Sequence, residues 1–146
     1  MSGHTTDDAA VERAALIAEL EQAERGNAPL SERVLLACGW TVTEDVGDPN
    51  DTLWINWHDP EGALWGMGYG TIPPPNVTVS LDAALTLVPE GRRLTLEQSD
   101  DGNWWDAYVL TPTDREGVLA EPETKQGCAT PALAVCAAVL RARRER

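Results

Sequence analysis

The sequence has no phenylalanine, one lysine, two histidines and three cysteines among its 146 residues, and each scarcity closes off a class of protein. Cys38, Cys128 and Cys136 are too few and too scattered for a disulfide framework or a zinc site. Neither a disulfide nor a metal is expected, and no motif for a cofactor takes their place. No stretch approaches the ~18 consecutive apolar residues of a membrane span. The opening Met1-Ser2-Gly3-His4-Thr5-Thr6-Asp7-Asp8 has neither the basic start nor the apolar run of a secretory signal. The expectation is a cytoplasmic protein.

What is present is enough for one domain. A chain of this length buries roughly 70% of its unfolded surface, so its core needs no staple. Leu, Ile and Val together number 30, only just above the ~20% level below which a highly charged chain stays disordered. Six Trp and nineteen Ala tip the balance, because a Trp buries ~200 Å² and Ala is the best helix former. The net charge of −13 is uneven: residues 1–66 sum to −10, residues 67–123 to −7, and the tail from Thr124 to +4. Such a field repels free nucleic acid and anionic membrane and favours solubility or a basic partner. Arg141, Arg143, Arg144 and Arg146 in the tail read as cations that complement the negative end of a closing helix.

Periodicity places the elements. Leu16, Ile17, Leu20 and Ala23 recur at helical spacing, which predicts a first helix over residues 8–25, with residues 1–7 disordered before it. Ser31 reads as the N-cap of a second helix, with Leu30 and Leu35 as a hydrophobic staple, ending at Cys38-Gly39. Trp40 and an acidic Thr43–Asp51 loop follow. Asp51 to His58 alternates as a strand, with Leu53, Ile55 and Trp57 on one face and Trp54, Asn56 and His58 on the other. Ala63 to Tyr69 reads as its return strand. Pro73-Pro74-Pro75 is a stiff loop. Ser80 caps a third helix with its apolar stripe at Leu81, Ala84, Leu85 and Val88, terminated by Pro89 and Gly91. Arg92–Glu97 and Trp104–Leu110 form a hairpin across Asp100-Asp101-Gly102-Asn103, and Gly117–Glu121 is a candidate edge strand. Thr130 caps the last helix with Pro131 at its first position, and its stripe is Leu133, Cys136, Ala137 and Leu140, widened by Val139. The expected fold is α+β: a layered helix/sheet/helix sandwich with an antiparallel or mixed sheet, in one domain over residues 8–146.

Four of these stretches carry a resemblance. They are Ser31 to Trp40, Ser80 to Leu85, the Trp104-Trp105 hairpin, and Ala129 to Leu140, which opens Ala-Thr-Pro-Ala-Leu-Ala. Taken in order they resemble the phage ABA-sandwich domain, found in small proteins of bacteriophages and prophages, over roughly residues 30–143. The resemblance implies a sheet between helices and a phage or prophage setting. It implies no catalytic residues, because the shared positions are caps, stops and core. The first helix and the acidic Thr43–Asp51 loop depart from the pattern and add surface on which a specialised function would sit.

Chemistry has few footholds. His58 beside Asp59 is the pairing that orients a general base, but no nucleophile signature accompanies it. Asp100-Asp101-Gly102-Asn103 lacks the spaced ligands and closing Glu of a calcium loop and reads as a turn. Gly66-Met67-Gly68-Tyr69-Gly70 has no following Lys-Ser/Thr to cradle a phosphate. The tryptophans are the unusual feature. Trp40, Trp57 and Trp105 are expected in the core, whereas Trp54, Trp65 and Trp104 fall on the other sheet face or at a rim. Trp54, Trp57, Trp65 and Trp104, with Arg92, Arg93 and His58, are the ligand-binding candidates, since Trp stacks bases and Arg clamps phosphate.

Three functions stay open. The first is a non-catalytic accessory protein of phage or prophage type that binds a host or phage protein. The second is a sponge for a nucleotide signal, and the third an acidic decoy that mimics DNA before a defence protein. An enzyme is the least supported class, free nucleic acid and membrane are not expected partners, and a homo-oligomer is compatible with the sequence.

Overall fold

The core is organised by its last helix. In the computed structural model, which describes residues 2–46, 53–65, 73–110 and 127–144, α4 (Pro131–Arg144) carries no charged residue before Arg141. Thr130 Oγ1 accepts a hydrogen bond from Leu133 N at 3.2 Å, closing the helix start as expected. Every residue from Ala132 to Leu140 is buried, not only the stripe at Leu133, Cys136, Ala137 and Leu140. A helix apolar all round belongs inside a core. Its alanines at 132, 134, 137 and 138 let neighbours approach on every side, and α1, α3 and the second hairpin all pack on it. Each fully buried Leu or Val contributes ~1.5–3 kcal/mol.

Helix α1 (Ser2–Gln22) supplies Leu16, Ile17 and Leu20 to that core. It begins earlier than the expected residue 8 and ends before Gly26-Asn27, with one further turn bond from Ala23 N to Glu19 O. Helix α2 (Ala28–Ala37) starts earlier too. Its cap is Asn27, whose Oδ1 accepts from Leu30 N at 2.8 Å, with Pro29 in the first turn. Ser31, expected as the cap, lies inside the helix and is buried. The stop is as predicted: Gly39 takes φ +99°, Gly39 N bonds Leu36 O and Trp40 N bonds Leu35 O, the paired bonds of a Schellman motif. Helix α3 (Leu81–Leu85) has its Ser80 cap but runs for five residues only. Thr86 Oγ1 donates back to Ala83 O at 2.6 Å, and Pro89 turns the residue before it away from helical geometry. Only Ala84 of the expected stripe is fully buried, and Leu85 is exposed.

The strands form two separate ladders. Strand β1 (Thr41–Val46) pairs antiparallel with β2 (Leu53–His58), from Thr41 opposite His58 to Val46 opposite Leu53. Strands β3 (Arg93–Gln98) and β4 (Trp105–Leu110) pair likewise, from Arg93 opposite Leu110 to Gln98 opposite Trp105. The α+β class and the antiparallel pairing are as expected, with the sheet in two two-stranded pieces among the described residues. Strand β1 corrects the reading of Thr43 onward as a loop: its acidic pair masked four β-branched residues in six. The return strand expected over Ala63–Tyr69 is a single bridge from Leu64 to His58 in its described part. Gly66–Gly70 and Gly117–Glu121 lie outside the described residues. Trp57 is in the core, whereas Trp40 and Trp105 are half-buried and pack against it from outside. Among the described residues no helix is long and apolar enough to cross a membrane.

Candidate functional site

The candidate residues do not form one cluster: Trp57, His58 and Trp65 are neighbours, with Trp65 N donating to Trp57 O at 2.8 Å, while Trp104 and the arginines belong to the second hairpin. Trp57 is 5% exposed and belongs to the core. Trp65, 42% exposed, meets Trp40 edge to face with ring centroids 6.0 Å apart, and its indole Nε1 donates to Pro73 O at 2.9 Å. Trp54 stands opposite Asp45 in the ladder, and its side chain lies outside the described set. Trp104 is 43% exposed where the second hairpin turns, next to the Gln98 end of β3. Arg93 lies at the other end of that strand and Arg92 just before it. Five steps along a strand span ~17 Å, so the hairpin holds its exposed tryptophan and its arginines apart.

The possible acid–base groups are engaged locally. His58 Nε2 lies 3.0 Å from Thr43 Oγ1 across the first ladder. Asp59 Oδ1 instead accepts from Glu61 N and Ala63 N, both at 2.9 Å, closing its own turn. Asp101 Oδ1 accepts from Ser99 Oγ at 2.6 Å and Asn103 N at 3.0 Å. Those bonds, the Ser99 hydroxyl's foremost, hold its carboxyl below the usual range. The three cysteines are free and buried. Burial pushes the Cys38 thiol up to about 11, partly offset by the guanidinium groups of Arg143 and Arg13. Burial pushes Cys128 up to about 12 and raises Cys136 as well. A thiol is nucleophilic only as thiolate, so these are packing residues. Among the described residues no three His, Cys, Asp or Glu gather as metal ligands.

Two polar features had no signal in the sequence. Ser31 Oγ lies 2.6 Å from both Asn76 Oδ1 and Thr78 Oγ1 and accepts from Thr78 N at 3.0 Å. Thr78 Oγ1 is also within 3.0 Å of the Asn27 amide and carbonyl, so the start of α2 is tied to residues 76–78. The approach is close enough that a Cβ on Gly26 would stand 2.0 Å from Thr78 O, which no side chain tolerates. The other is the Arg141–Glu21 ion pair, both side chains largely buried, joining α4 to α1. Arg141 therefore answers a carboxylate rather than the helix dipole alone. Serine and threonine 47 residues apart meet only once the chain has folded.

One concave feature of the surface is a groove of about 630 Å³ between α1 and α2. It is lined by Ala9, Ala15, Leu16, Leu36 and Ala37 together with Glu12, Arg13 and Arg33. Arg33 is held there by Glu19 at 2.5 Å, and that hydrogen bond keeps the Glu19 carboxyl below its usual range. Leu36, in the lining of the groove, is 50% exposed, and Val11, elsewhere on α1, is 67% exposed. By ordinary helical rise α1, with 21 residues, runs about 31 Å and α4, with 14, about 21 Å. The longer helix buries Leu16, Ile17 and Leu20, while residues 8–12 remain exposed. No family model matches the chain, and neither does any curated protein or solved structure.

Proposed function

We propose that the chain is a non-catalytic interaction module of phage or prophage type that binds a protein partner through the face made by α1 and α2. The observation that carries this reading is the half-covered α1. Its later residues dock on α4, and its earlier turns leave Ala9 exposed on a groove lined also by Leu16 and Leu36, with Val11 exposed elsewhere on the same helix. Apolar side chains at helical spacing beside such a groove suit a helix laid into it. The α1 side of the groove belongs to the part of the chain that departs from the ABA-sandwich resemblance, where a specialised contact is expected, whereas Arg33, Leu36 and Ala37 lie within one of the stretches that carry it. The phage setting rests on that resemblance of the four sequence stretches.

The placement of reactive groups favours binding over catalysis. The thiols are buried, His58 bonds Thr43, and Asp59 closes its turn. A nucleotide sponge has less support, because Trp104 and the Arg92–Arg93 pair stand at opposite ends of their hairpin and Trp57 is enclosed. A surface of −13 favours a basic protein over a free polyanion.

The test is capture of partners from host lysate by wild type and by Val11→Asp and Leu36→Asp variants. Exposed substitutions of this kind change stability by only ~0.5 kcal/mol, so unchanged melting is the control. Loss of the same captured protein with both variants is the expected result. Equal capture by all three would remove α1 and α2 from the interface. Saturable quenching of tryptophan fluorescence by a nucleotide, abolished by Arg92→Ala or Arg93→Ala, would replace the reading with the sponge.

A further inference from the structure

We propose that the outer edge of β1 accepts an extended basic segment of another protein as an added strand, a second contact separate from the α1–α2 face. The first ladder has two strands among the described residues, and β1 pairs only with β2. Thr41 to Glu44 are exposed, so one side of β1 presents backbone N–H and C=O groups to solvent.

Proteins usually disarm such an edge with proline, charged side chains (lysine above all), a bulge or a covering element. The charge on β1 is acidic, which deters another acidic edge but attracts a basic strand. Strand β1 has neither proline nor lysine, and its register with β2 runs unbroken from Thr41–His58 to Val46–Leu53. Four of its six residues are Thr or Val, the types that suit a pleated surface. The edge is also held in shape before any partner arrives, because Thr43 Oγ1 is bonded to His58 Nε2 across the ladder. A preformed edge lowers the ordering cost of binding.

Charge selects the occupant. The strand carries Glu44 and Asp45 and no base. A second copy docking edge to edge would add a strand of the same acidic sign, and like charges brought opposite one another across a ladder destabilise it. A segment carrying Arg or Lys meets attraction at the same positions. Val42 stands opposite Trp57 in register, on the face whose Trp57 enters the core, yet remains partly exposed. A β-branched residue on the incoming strand would cover it. The recognised chemistry is therefore an extended segment in which basic and β-branched residues alternate, read by main-chain bonds and by charge.

The experiment uses the full chain, isotopically labelled, and a short synthetic peptide alternating arginine with valine and threonine. Amide shifts and hydrogen exchange are followed on addition. Protection gained over Thr41–Val46 is expected. The same peptide N-methylated at alternate amides should bind at least about tenfold more weakly, and so should the unmodified peptide to Glu44→Lys. Equal binding of the methylated peptide would reduce the effect to bulk charge and overturn the proposal. So would shifts confined to α1 and α2, no binding at all, or self-association through β1 in the ultracentrifuge. Because the Val11 and Leu36 variants leave β1 intact, failure here is distinguishable from failure of the α1–α2 interface.

Discussion

The two hairpins of this protein have the same length and the same unbroken antiparallel register, but opposite surroundings. Strand β4 lies along α4, buries Ala107, and is tied at its first residue by reciprocal 2.7 Å bonds between Trp105 and Cys128. The first hairpin reaches the core through β2, with Trp57 buried and Ile55 packed against it, while β1 stays outside with Thr41 to Glu44 exposed. A strand pattern thus states that a segment can pair. Whether it becomes floor or rim depends on which helix it meets. One hairpin is a wall of the core, and the other is half wall and half exposed strand among the described residues.

The contrast breaks most visibly where side chains are fully enclosed. Trp57→Ala removes the first hairpin's anchor and should cost about 3–5 kcal/mol, and Leu133→Ala behind the second about 2–5 kcal/mol, measured by denaturant unfolding. A loss under about 0.5 kcal/mol for Leu133, typical of surface sites, would mean that α4 is not docked as described.

Next in size is Ser31→Ala. It leaves Asn76 Oδ1 and the Thr78 amide without the Ser31 hydroxyl, and a buried unsatisfied group costs about 1–3 kcal/mol. If the variant melts with wild type, the tie between α2 and residues 76–78 has no energetic weight. Here the sequence misled for a local reason. Ser before an apolar helical run is a fair cap, but Asn27-Ala28-Pro29 upstream offers an earlier cap with proline in the first turn.

The core thiols give a pH signature. An unfolded thiol ionises near 8.5, whereas folding raises Cys38 to about 11 and Cys128 to about 12. A folded value above the unfolded one means that this contribution is complete below about pH 8.5 and is lost as the pH rises toward 11 to 12. Thermal melts should therefore shift downward through that window, and a thiol reagent should label the native protein far more slowly than the urea-unfolded chain. Rapid labelling of the native state at pH 8 would contradict enclosed thiols around α4.

The smallest effect belongs to the rim. Val42→Ala and Glu19→Gln should each stay within about 0.5–1 kcal/mol, since one removes partly exposed surface and the other an exposed ion pair. A larger loss at Val42 would show that β1 is packed rather than free, and the two hairpins would then be alike.

Much of the fold is legible in local residue order. The Thr130-Pro131 start, the Cys38-Gly39 stop, the Ser80 cap, the β3–β4 hairpin and β2 are all set by capping chemistry, glycine geometry and period-two alternation, which act within a few residues. Local order also shows an acidic chain with three isolated cysteines. The candidate site was less legible. Trp65, Trp104, Arg92 and Arg93 look alike as sequence whether they converge or stand a strand's length apart. Only the tertiary structure decided that α4 is enclosed on all sides, that Ser31 is an anchor for Thr78, that Arg141 answers Glu21, and that β1 has β2 alone beside it among the described residues. Each of these depends on partners far away in sequence, and which face of an element is buried is set by what packs on it, not by the element's own period.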